Sequence, residues 1–403
     1  MAGYFLYHSI GTFPGKAQQM QAALTEFSAL WSAEDNGQWS AALSGRSRFI
    51  AAWEALIEAP AGSLTTAENV TASLYSLIGG LPAAALQGRR LLIAADCFPS
   101  LHFLLAGLAP RLDFTLDTVP MRPGESWVRD ADVLDRWQDD VGLALLTLVT
   151  STASHRSDVA RLAAHGRRMG SLVGVDVTQG IGLLPFSVAG LDVDFVVSTS
   201  LKWLCGSPGA GILQVRPQLI EACRPELRGW FSQPDPFAWE LDGFAFAPDI
   251  RRFDHGTPGI LAAVASLPGL EWVEATGLEA IAAHNRALCK PLVERALANG
   301  WRLASPVDAA ERGGSVMLAL PEAVDAGQVV AELGRQRLFC DRRGQVLRLS
   351  PGAVTDTDAV EALLGALERL LPQPASHAAR GISSVPEPRK SDGLQRSTGS
   401  KQR

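Results

Sequence analysis

LVGVDVTQGIGLLPFSVAGLDVDFVVSTSLKWLCGSPGAGILQV, residues 172–215, decides how the 403-residue chain is read. An apolar run, Leu172 to Val175, ends on Asp176, and a second, Val193 to Thr199, ends in Ser200, Leu201 and Lys202. A turn through Gly206, Gly209 and Gly211 then leads into a third run, Ile212 to Val215. Short continuous apolar runs bounded by Gly and Pro read as buried strands of a sheet covered on both faces. An acid and a lysine therefore stand where buried strands run out, the edge at which open α/β sheets bind ligands. Upstream, Leu143 to Thr150 reads as another strand, and Asp158 to Met169 as a helix crossing from it to the Asp176 strand. That gives βαβ units and a parallel sheet.

An acid and a lysine at such an edge suit pyridoxal phosphate chemistry. A lysine amine forms a Schiff base with an aldehyde cofactor, and a carboxylate keeps the pyridine nitrogen protonated so that the ring accepts electrons. Taken singly, a lysine after a strand is ordinarily solvated and an aspartate there is ordinarily a turn former. The glycine-rich turn is no dinucleotide loop, because it precedes a strand where that fingerprint follows one and opens a helix.

Asp176-x-x-Gln179, then Ser200-x-Lys202-Trp203 and the glycine-rich turn, resembles the class V aminotransferase superfamily of fold-type I pyridoxal phosphate enzymes. The resemblance implies an α/β fold: a large domain with a mainly parallel sheet covered by helices, and a smaller C-terminal α/β domain. It makes Lys202 the Schiff-base lysine, Asp176 the partner of the pyridinium, Gln179 a ligand of the ring oxygen, and Ser200 part of the cofactor site. Thr65-Thr66-Ala67-Glu68-Asn69-Val70-Thr71 precedes an apolar helix read as Ala72 to Ile78. A threonine there is an ordinary N-cap. The same helix start also cradles a phosphate, and the family pattern assigns that to the Val70 backbone and the Thr71 side chain.

Further matches point to the kynureninase branch. Phe98-Pro99-Ser100, after a strand read as Arg90 to Ala95, resembles a Phe-Pro-Ser/Thr phrase whose aromatic stacks on the cofactor, although an aromatic there also suits a core. Ser9-Ile10-Gly11 is similar to an N-terminal Asn-Ser-Leu-Gly and implies Ser9 at the substrate; His8 stands in place of the Asn. In the loop Ser151–Arg156, Ser154 or Thr152 is a candidate for the ring oxygen or the substrate, while His155 reads as a solvated residue in preference to a proton shuttle. Gly229-Trp230 resembles a Gly-Trp whose Trp reaches a phosphate. His255-Gly256-Thr257-Pro258 resembles a segment whose Thr crosses to the neighbour's phosphate, implying a homodimer with composite sites. Val346-Leu347-Arg348-Leu349-Ser350 is similar to the pattern whose Arg pairs with the substrate α-carboxylate.

The implied reaction is kynureninase-like cleavage of an α-amino acid, a C–C hydrolase or lyase. A class V aminotransferase, epimerase or β-lyase is the alternative, and a non-catalytic protein of the same fold is the competing class. Besides His8, five positions depart from kynureninases: Gln179 replaces a His, Leu201 a Tyr, Leu101 an Asp, and Ser232-Gln233 a Gly-His pair. A desulfurase needs a nucleophilic cysteine in a mobile loop, whereas Cys340 reads as buried at a strand edge.

Composition agrees with a globular enzyme: 47% apolar, 19% charged and a net charge of −6. No basic patch suggests nucleic acid, no run reaches a membrane span, and the N-terminus lacks a basic-then-apolar leader. Five scattered cysteines in no metal-ligand spacing suggest reduced thiols in a cytoplasmic protein. Expected boundaries are a cofactor-binding domain over 1–260 and a small domain over 261–371. Within the latter, helical segments run from about Glu271 to Asn299. Strands are expected at Ser315–Ala319 and Gln345–Ser350, and helices at Ala326–Gly334 and Asp358–Leu371. The tail over 372–403, rich in Pro, Ser, Gly, Arg and Lys, is expected to be disordered.

Overall fold

The computed structural model describes residues 3–372, so residues 373–403 of the tail lie outside the described residues. Thirteen strands appear among them. In chain order they are β1 (Gly3–Tyr4), β2 (Leu64–Ala67), β3 (Arg90–Ala94), β4 (Thr115–Val119), β5 (Val141–Thr147), β6 (Leu172–Asp176) and β7 (Phe195–Thr199). There follow β8 (Gly211–Val215), β9 (Arg302–Leu303), β10 (Val316–Ala319), β11 (Leu338–Phe339), β12 (Asp341–Arg343) and β13 (Val346–Leu349).

The large sheet has seven strands in the order β2-β8-β7-β6-β5-β3-β4. All neighbours from β7 to β4 pair in parallel, and β8 runs antiparallel to both β7 and β2. The three runs of the 172–215 block thus lie side by side as β6, β7 and β8. Alternation along each strand feeds two cores. Ala144, Leu146, Val173, Val175 and Val196 pack on one face with Phe49 and Trp53, while Leu143, Leu145, Phe195, Val197 and Leu213 pack on the other with Leu74 and Leu77. Burial on both faces explains why these strands read as continuous apolar runs.

A four-stranded antiparallel sheet, β12-β13-β10-β9, has its own core, where Val316, Leu318, Leu347 and Leu349 meet helices Leu278–Ala298 and Thr357–Leu370. Phe5 joins that core, and β1 pairs in parallel with β11, so the start of the chain is stapled to its C-terminal portion.

The helix leading out of the large sheet differs most from expectation. The segment expected to start near Glu271 begins at Ile260 and runs to Thr276. Its Ala263, Leu267, Leu270 and Val273 join the core of the large sheet. Helix burial on nearly all sides removes the amphipathic period, and Pro268 inside it reads as a breaker.

Candidate active site

Asp176 is the last residue of β6, and Lys202 follows the end of β7 by three residues. Both open into one cleft of about 850 Å³ at the C-terminal edge of the parallel strands. The Asp176 carboxylate is buried, and its Oδ1 accepts the amide of Thr178 at 2.9 Å. Burial pushes its pKa up; the Thr178 hydrogen bonds and the Lys202 charge oppose the shift. The Lys202 amine is pushed down to about 8, chiefly by burial, with Asp176 opposing and Arg348 and Arg343 assisting. Each group is thus the other's counter-charge in a low-dielectric pocket.

The Val70–Ile78 helix points its N-terminus into the same cleft. Asn69 caps it, accepting the Ala72 amide at 2.9 Å, so the threonines are not the cap and the helix starts two residues earlier than expected. Thr65 and Thr66 instead lie on β2 and bond Arg46. The first amides, Val70 and Thr71, have no intrahelical acceptor and carry the positive end of the dipole. Gly211 permits the close approach of β8, since a Cβ there would sit 2.9 Å from Asn69 Cα. Phe98 is 45% exposed with its ring centroid 5.3 Å from Lys202 Nζ.

Lys202, Asp176, Gln179, Val70, Thr71 and Phe98 are therefore brought together. The Gln179 amide nitrogen donates to the His8 carbonyl at 2.9 Å, leaving its oxygen as the remaining polar atom. Other expected residues do not line the cleft. The Ser200 hydroxyl accepts the Trp53 indole at 3.0 Å in the core, because strand alternation turns it away and presents Thr199 and Leu201 instead. The Ser154 hydroxyl accepts the Ser315 amide at 3.1 Å, and Ser151 of the same loop takes the cleft position. His155 is buried and stacks on Trp127 at 5.5 Å, bordering a different surface cleft.

Ser9 is half-buried, and its backbone amide donates to the Leu6 carbonyl. Trp230 lies in an aromatic group with Trp39, Phe231, Phe237 and Trp239. Thr257 is exposed. Arg348 is 4% exposed and forms a bidentate pair with Asp341, Nε to Oδ1 at 2.7 Å and Nη2 to Oδ2 at 2.5 Å, while its Nη1 reaches the carbonyl of cleft-lining Ser151 at 3.4 Å.

Sequence reading missed Thr199, Ser151, Asn69 and the His8–Asp341 pair. Asn before an apolar helix is a legible cap signal, and alternation about Ser200 points to Thr199. Nothing local connects His8 to Asp341, which are 333 positions apart.

The donor set fits pyridoxal phosphate. A helix N-terminus suits its phosphate, a buried carboxylate suits a protonated ring nitrogen, an aromatic face suits the ring, and a depressed lysine amine suits the aldehyde.

A family model described as Aminotransferase class-V matches residues 54–345. An uncharacterised aminotransferase of Bacillus subtilis (strain 168) is 27% identical over 297 residues, 73% of this chain and 76% of that protein. A kynureninase of Monosiga brevicollis is 28% identical over 286 residues, 66% of this chain and 62% of its own length. The apo structure of a cysteine desulfurase from Thermococcus onnurineus NA1 superposes with a TM-score of 0.82 at 19% identity, covering 92% of this chain and 94% of that one. The last is a likeness of fold.

Proposed function

The chain belongs to the class V aminotransferase family of pyridoxal phosphate-dependent enzymes, and from that premise we propose that it cleaves an α-amino acid on the side-chain side of Cα, in the manner of a kynureninase. The observation that carries this reading is the inventory of ionisable groups in the cleft. Among the described lining residues these are Lys202, Asp176, Tyr75 and Glu68, and Glu68 is exposed. Among these described lining residues Lys202 is the single amine, and no imidazole is among them. One base on one face of the substrate suits removal and return of a proton by the same group, rather than a two-base epimerisation.

When bound, pyridoxal phosphate supplies an electron-accepting ring that stabilises negative charge at the substrate Cα. Lys202 takes the Cα proton as a neutral amine. Asp176 holds a proton at the ring nitrogen. Val70 and Thr71 bind the phosphate at the helix start, Phe98 offers its ring face, and Gln179 presents its amide oxygen. Arg348 receives the α-carboxylate on the guanidinium edge that Asp341 does not occupy. Exposed Thr257 and the Trp230 cluster serve the cofactor site of a second copy, making the working form a homodimer.

Desulfuration is disfavoured. All five cysteines are buried, and burial pushes each thiol up to about 12, so none offers a thiolate near neutral pH. The deciding experiment is anthranilate release from kynurenine and 3-hydroxykynurenine by the cofactor-loaded protein. Turnover that disappears in Lys202→Ala is expected. Silence, with the visible absorbance of bound cofactor intact, overturns the kynureninase-like reading. The chemistry then moves to transamination or β-elimination of another amino acid.

A further inference from the structure

We infer that His8 is the positioning residue for the arginine that receives the substrate carboxylate, and that it acts through Asp341. The inference rests on the reading above, in which Arg348 takes that carboxylate.

Arg348 on β13 is a direct cross-strand neighbour of Asp341 on β12. The pair uses the Nε–Nη2 edge of the guanidinium. The remaining nitrogen, Nη1, has one long contact, 3.4 Å to Ser151 at the cleft wall. A guanidinium has five N–H donors in a planar fork, so fixing one edge fixes the direction of the other. Asp341 therefore aims Arg348.

Asp341 itself needs an anchor, because its side chain is 27% exposed on a strand of only three residues. His8 Nε2 stands 2.9 Å from Asp341 Oδ1, and His8 Nδ1 2.7 Å from Ser350 Oγ, which in turn lies 2.5 Å from Ser315 Oγ. Burial holds the imidazole below its ordinary pKa, and a neutral ring that donates from Nε2 must accept at Nδ1. The hydroxyls then align in one direction: Ser315 donates to Ser350, Ser350 to His8, and His8 to Asp341. The His8 carbonyl also holds the Gln179 amide. On either side of His8 the segment is pinned by the Leu6–Ser350 bridge and by the Gly11 amide donating to Leu201 O at 2.9 Å. Gly11 is required there, since a Cβ would fall 1.7 Å from Lys202 O. One residue of the N-terminal segment thus ties the ring-facing glutamine to the carboxylate-facing arginine.

The test titrates full-length, pyridoxal phosphate-loaded protein with L-alanine and L-alaninamide, by calorimetry and by the visible absorbance of the cofactor. His8→Asn keeps an amide near Nδ1 and loses reach to Asp341, whereas His8→Gln places its amide nitrogen near Nε2. His8→Asn is expected to weaken the acid by about tenfold or more, the scale on which misplacing a binding group is felt, and to leave the amide unchanged. His8→Gln restores the acid. Asp341→Asn, read the same way, serves if His8→Asn fails to hold cofactor. Acid and amide binding alike in the parent, unaltered by Arg348→Ala, overturns the carboxylate reading and the inference with it. A parent preference that Arg348→Ala abolishes, but His8→Asn and Asp341→Asn leave intact, overturns the inference alone. Equal losses for acid and amide reduce His8 to a structural prop and also overturn it.

Discussion

Capture of pyridoxal phosphate by the cofactor-free protein should follow the titration of Lys202. An amine attacks an aldehyde only in its neutral form. With burial moving Lys202 from 10.5 to about 8, about a tenth of the molecules carry the neutral amine at pH 7, roughly 300-fold more than an ordinary lysine offers. Below about pH 8 the capture rate should rise about tenfold per pH unit, and above it the rate should level off. Two substitutions give opposite signs. Asp176 raises the lysine pKa, so Asp176→Asn moves the midpoint down; Arg348 lowers it, so Arg348→Gln moves the midpoint up. Stopped-flow absorbance at excess cofactor between pH 6 and 10 measures all three profiles. A midpoint near 10 or above, or the same midpoint in both variants, refutes the argument that a desolvated pair sets the reactivity of this amine.

Gly11→Ala should destabilise the protein by about 1–3 kcal/mol in urea unfolding and weaken cofactor binding, because the new methyl collides with the Lys202 carbonyl and Cys205 Sγ. Ser200→Ala should lower stability by roughly 1–3 kcal/mol through the orphaned Trp53 indole, whereas Thr199→Val should chiefly lower cofactor affinity; equilibrium dialysis and thermal melts separate the two. A thiol reagent should label none of the five buried cysteines quickly in native protein and all five in urea, read by absorbance. Fast labelling of Cys340 would reopen desulfuration.

The 172–215 block carried most of the fold in the sequence. Strands buried on both faces must be apolar throughout, and open sheets bind ligands at strand ends, so the placement of Asp176 and Lys202 at one cleft edge was legible from their order. The apolar helix after Asn69 was legible, although the sequence reads it as starting at Ala72 rather than Val70; Val70 and Thr71 came from the family pattern, which agrees with the anion affinity of unpaired helix-start amides. The facing of Ser200 and Thr199 lay within the sequence as alternation; the Ser-x-Lys phrase pointed to Ser200, while Thr199 is the one that lines the cleft. The helix beginning at Ile260 was hidden because burial on nearly all sides erases its period. What only the tertiary structure decided was the set of contacts between distant segments: Gln179 with His8, His8 with Asp341, and Asp341 with Arg348. Their polar atoms meet because separate cores bring β6, the N-terminal segment and the β12–β13 hairpin together. Local pattern specifies how each element folds and which side it buries, while the partner of a buried charge is fixed by packing across the whole chain.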